Sequence, residues 1–184
     1  MIDKKDYRKI QVQLQAVLAE RFDDVTVQIG DDIHYRGTNV VVTSPAFEGL
    51  LPEQRFHHAV RAIPSDLYDQ YLRHGVVWFE LTPTETGLDI MRMPRSDDIA
   101  GQEDAILERL IATRFRDRFQ ATLGAAPLDL SIDDFILSRR LLFDTGFSEQ
   151  DVTRACLFFI RAGAFCDAQV LADVLPTLTS DHVA

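Results

Sequence analysis

The stretch Asn39–Ser44, NVVVTS, constrains this chain more than any other. Its three adjacent valines favour a pleated strand, and Pro45 ends it. Phe47-Glu48-Gly49 then forms a turn, and Pro52 opens a helix, where its missing N–H costs no hydrogen bond. Phe56, Ala59, Val60 and Ile63 follow at i, i+3, i+4 and i+7, the spacing of one buried helical stripe. Strand, tight turn and amphipathic helix therefore make one β–turn–α unit, around which the rest must be arranged.

The neighbouring segments extend that unit. Tyr7, Ile10, Leu14, Val17 and Phe22 lie near one helical face. VTVQI (25–29) is a short strand that pairs with 39–44 as a hairpin, through the turn residues GDDIHYRGT. Pro64 interrupts the second helix, and Ser65 caps a further helical piece that ends at Gly75. VVWFEL (76–81) predicts a third strand, and the alternation in LDIMRM (88–93) predicts a fourth. The result is an α+β domain over residues 1–95, a small mixed sheet with helices packed on it.

Residues 96–103, within the polar segment PRSDDIAGQED, read as a linker, and 104–184 as an α-helical module. Ile106, Leu110, Phe115, Phe119 and Leu123 give one helical face that ends at Gly124. Ser131 with Asp134 signals the start of a helix that runs to about Thr145 and stops at Gly146. Ser148 begins another, with Val152, Cys156, Phe159 and Ile160 facing inward, and DAQVLADVL is a last short helix.

Composition narrows the function classes. The net charge is −10, and the first 95 residues carry 11 Lys/Arg against 14 Asp/Glu. Nucleic-acid binding wants a basic face, so this balance argues against it. No apolar run reaches the ~20 residues of a membrane span, and the N-terminus lacks a secretory signal. Cys156 and Cys166 are the two cysteines, too few for a disulfide framework, which points to a reducing, cytoplasmic setting.

Candidate chemistry is sparse. His57 and His58 are adjacent, not at the i, i+4 spacing of a helical zinc site, and are read as surface residues. His34 lies in the hairpin loop beside Asp31, Asp32 and Tyr35. Cys156 reads as a buried small hydrophobe. No nucleophile elbow, phosphate loop or dinucleotide fingerprint is present, and the enzyme reading has no positive support. Phe47 and Gly49 are the structural residues of the turn. The candidate binding surface runs from Glu48 through Gln54, Arg55, His57 and His58 to Arg61.

The block VVVTSPAFEGLLPEQRFHHAVRAI resembles the central part of the BolA family, where a valine-rich strand ending in serine leads through Phe-Glu-Gly to a helix that opens near Gln-Arg-His. Val40, Val41, Ser44, Phe47, Glu48, Gly49, Gln54 and Arg55 carry the match, which spans about residues 4–82. The resemblance implies a compact KH-like fold. It also implies either a regulatory role or pairing with a monothiol glutaredoxin around a [2Fe–2S] cluster. The family's third strand begins Gly-(Ile/Val)-His, and that histidine is a cluster ligand. Val77 stands at the position here, so His34 or His74 would have to supply the donor. Residues 131–174 more weakly resemble a small bacterial helical family, through the ending Gly-(Gly/Ala)-(Tyr/Phe)-Cys-Asp.

The expectation is a non-enzymatic BolA-like adaptor without a cofactor of its own. It would bind another protein, a monothiol glutaredoxin or a second copy of itself. The alternatives are a KH-like nucleic-acid-binding regulator and an acidic, chaperone-like client binder.

Overall fold

The computed structural model describes residues 2–31, 37–73, 75–125 and 134–178. The chain divides into two compact units, Met1–Met93 and Pro94–Ala184.

The first unit is an α+β layer. Helix α1 (Tyr7–Ala19) precedes β1 (Thr26–Asp31) and β2 (Thr38–Thr43). After a 3-10 turn at Pro45–Phe47 come α2 (Pro52–Ala62), α3 (Ser65–Leu67, continued by a π turn at Tyr68–Leu72), β3 (Val76–Leu81) and α4 (Gly87–Arg92). The three strands form a mixed sheet in the order β1-β2-β3. β1 runs antiparallel to β2, with Val27 opposite Val42, whereas β3 runs parallel to β2, with Trp78 beside Val40 and Glu80 beside Val42.

Alternation decides which sheet face is covered. Thr38, Val40, Val42 and Ser44 are buried along β2, while Asn39, Val41 and Thr43 between them are half-buried. On the covered face Ile10, Leu14 and Leu18 of α1 meet Val27, Val40, Val42, Phe47, Ala59 and Ile63 in one apolar cluster. Gln15 fastens α1 to the sheet. Its side chain donates to the Val25 carbonyl (2.5 Å) and accepts from the Val27 amide (2.8 Å).

The expected fourth strand is a helix. LDIMRM alternates as a strand would, but Thr86 and Asp89 form a reciprocal capping box. The Asp89 carboxylate accepts from the Thr86 amide (2.8 Å) and hydroxyl (2.7 Å), which starts α4 at Gly87.

The second unit is helical: α5 (Glu103–Ala112), α6 (Phe115–Ala125), α7 (Ile136–Asp144), α8 (Glu149–Arg161) and α9 (Asp167–Gln169), the last continued by a π turn at Val170–Val174. The segment expected as a linker belongs to it. Ser96–Ile99 forms a 3-10 turn with Ile99 buried, and Arg161 of α8 pairs with Asp97 (3.3 Å) and Glu103 (2.7 Å).

The single helix expected across 106–123 is two. Arg114 takes a positive φ of 53° between α5 and α6, which re-aims the chain while Leu110, Phe115 and Phe119 all stay buried. Phe115, Phe119, Phe135 and Phe159 stack as an aromatic core with neighbouring centroids 5.7–5.8 Å apart. Ser148 caps α8 as its spacing predicts, and Val152, Cys156, Phe159 and Ile160 are buried. Ser131, proposed as a cap, lies outside the described residues. Among the described residues, no helix is long and apolar enough to cross a membrane.

Candidate functional site

The turn after β2 is built as a hinge into α2. Ser44 is fully buried. Its hydroxyl donates to the Asp23 carbonyl (3.0 Å) and accepts from the Ala46 amide (3.2 Å). Phe47 is buried against Phe22, with ring centroids 5.3 Å apart. Gly49 has φ 77°, a left-handed geometry that side chains disfavour. Glu48, between them, is exposed.

Helix α2 sits rotated from the expected stripe. Gln54, Arg55 and His58, expected on the surface, are 1%, 1% and 2% exposed, whereas Phe56, expected in the core, is 39% exposed. Chemistry explains the inversion. Gln54 folds back to accept from the Leu51 amide (3.1 Å) and completes the cap of its own helix.

Arg55 enters the interior because every direction it points offers an acceptor. Nε donates to the Leu50 carbonyl (2.9 Å), and one terminal nitrogen donates to the Glu80 carbonyl (2.9 Å). Both terminal nitrogens grip Glu85, at 2.6 and 3.0 Å. Glu85 also accepts from the Thr82 amide (2.8 Å). The Arg55 guanidinium holds the Glu85 carboxyl down at about 2, chiefly by hydrogen bonding. This clamp joins the turn, α2 and the exit of β3. It is structural, since the guanidinium has no exposed face left for a partner.

His58 is buried one turn beyond Gln54, and Glu80 is buried on the strand that α2 covers. The His57 ring is half-buried and stands nearly perpendicular to that of His58, 5.7 Å away. Arg61 is exposed. His34 and His74 lie outside the described residues. Val77 is half-buried on β3 opposite Asn39.

What α2 leaves exposed is therefore Phe56 and Arg61, with His57 and Val60 half-buried. Phe56 meets the rim of Trp78, the one tryptophan of the chain, in an edge-to-face pair (centroids 6.3 Å, 77°). Trp78 belongs to β3, which among the described residues has a paired strand on one side only. An edge strand presents a row of backbone donors and acceptors to any chain that lies alongside. Sequence periodicity assigned Phe56 to the core and so missed it. The signal available was Arg55, whose neighbours Gln54 and His58 make a polar stripe that a buried salt bridge can turn inward.

In the second unit Asp167 is buried and serves a helix distant in sequence. Its carboxylate accepts from the Leu137 amide (2.6 Å), the Ser138 amide (3.0 Å) and the Ser138 hydroxyl (2.5 Å) at the start of α7. Burial raises this carboxyl above its ordinary value, against the donors that favour the charged form. Burial likewise pushes the Cys156 thiol up to about 12, and Cys156 and Cys166 are both free. Among the described residues, no three His, Cys, Asp or Glu side chains group as a metal site.

No family model, curated protein or solved structure matches the chain.

Proposed function

We propose that this chain is a non-enzymatic adaptor with a BolA-like first unit, which binds another protein through the outer surface of α2 and the free edge of β3. The observation that carries the reading is Phe56, a large aromatic held 39% exposed against Trp78 at the margin of an edge strand. Aromatic anchors of this kind dominate protein interfaces, and an edge strand adds backbone hydrogen bonds to a partner's extended segment.

The element order and the antiparallel-then-parallel pairing of β1, β2 and β3 support the KH-like arrangement that the resemblance implies. The clamp and the turn serve this surface indirectly. Arg55 and Phe47 fix the pitch of α2, and so the position of Phe56.

An iron–sulfur role is not part of the proposal. The strand position where the family carries its ligand is Val77, which has no donor atom for iron. A monothiol glutaredoxin remains a suitable partner through protein contacts alone, as does a second copy of the chain.

The test is comparative capture from a lysate of the native cells with the full chain and with Phe56→Asp as baits. The variant gives up the contact of Phe56 with Trp78, so its melting temperature should fall slightly while the cooperative transition is kept. Proteins held by the wild type and lost by the variant are the expected result. An identical set on both baits would reject this surface as the binding site.

A further inference from the structure

A second recognition feature lies wholly within the helical unit, between α5 and α8. Arg109 from α5 and Arg154 from α8 line a cleft of about 240 Å³, with Asp151 between them and Phe147, Ile106 and Ala105 as apolar wall. Arg109 is fixed in place. It pairs with Asp151 at 2.8 Å, and its guanidinium lies over the Phe147 ring at 4.0 Å. Asp151 is in turn set by the Ser148 hydroxyl, which donates to it at 2.7 Å. Arg154 is less engaged, since its approach to the same carboxylate is 3.8 Å, beyond hydrogen-bond length.

Two guanidiniums thus share one carboxylate in the lining of a partly apolar cleft, in a chain of net charge −10. Guanidiniums present planar forks of donors that match a carboxylate or phosphate in pairs. Arg109 is preorganised by Asp151 and Phe147, so an incoming anion need order only Arg154. The cleft is smaller than the ~300 Å³ at which drug-sized sites begin, which suits a compact ligand.

We infer that this cleft binds a small organic anion: Arg109 and Arg154 bring two positive charges against the one negative charge of Asp151, so the ligand's carboxylate is taken chiefly by the less engaged Arg154, with its apolar body against Phe147, Ile106 and Ala105. This site is independent of the α2–β3 surface and would stand if that reading failed.

Calorimetric titration of the full chain with 2-naphthoate tests it, beside neutral 2-naphthamide, inorganic phosphate and the variant Arg154→Gln. Arg154 has a 42% exposed side chain, so its replacement should leave the melting temperature unchanged. Saturable 2-naphthoate binding is expected, weakened about tenfold or more in Arg154→Gln and for the amide, because a charge-assisted hydrogen bond is lost in each case. Phosphate should bind more weakly than 2-naphthoate. No saturable binding, equal affinity in wild type and variant, or an amide as tight as the acid would each overturn the assignment. Phosphate binding tighter than 2-naphthoate would overturn the apolar half of it.

Discussion

Arg55 shows how one residue can set the pitch of a helix. An arginine taken out of water is tolerated when its donors are satisfied, and here Leu50, Glu80 and Glu85 do so. Removing the cation alone would strand Glu85 and two carbonyls, so Arg55→Met should cost about 3–5 kcal/mol in a urea titration. The acid limb carries a second signature. The Glu85 carboxyl is held at about 2 against its ordinary 4.5. Its contribution to stability is therefore complete above the upper value and is lost as pH falls toward the lower one. Glu85→Gln should flatten the stability profile across that window. A variant as acid-sensitive as the wild type there would show that the clamp does not act as described.

At the scale of elements, the sequence was legible where local signals and tertiary partners agree. Ser148 caps α8 as read, and the strand read at Asn39–Ser44 forms over Thr38–Thr43, since the cap and the run of valines are local signals that the packing upholds. The readings failed where a distant side chain decides. The buried face of α2 depends on Glu85, 30 residues from Arg55, and no periodicity in 52–62 records it. LDIMRM was misread because its alternation outweighed a Thr86–Asp89 cap that was visible in the sequence. The start of α7 follows the second pattern, because Asp167 supplies its cap from 29 and 30 residues away. Asp167→Ala would leave the Leu137 and Ser138 donors buried without it, at a cost of about 2 kcal/mol or more. Chemical denaturation of the full chain measures this, and a variant within ~0.5 kcal/mol of wild type would remove the cap from the account.

On the scale of the whole molecule, the chain divides into two compact units, and one apolar cluster lies wholly within the first. The first holds a complete sheet with its helices, and the clamp that links them closes within Met1–Met93. A fragment of residues 1–93 should therefore unfold in one cooperative transition. A fragment that lacks such a transition would make the second unit necessary to the first. The candidate site needs neither the cysteines nor any catalytic group, so the central claim is spatial: partners meet the chain at Phe56. The most direct measurement replaces Phe56 with the photo-crosslinking residue p-benzoylphenylalanine in the full chain, irradiates it in a lysate of the native cells, and compares the same replacement at Val12. Val12 is 63% exposed on α1, which is not part of the proposed surface. The account predicts discrete adducts, with another protein or with a second copy, from position 56 and none from position 12. Adducts of equal yield from both positions, or from position 12 alone, would contradict it.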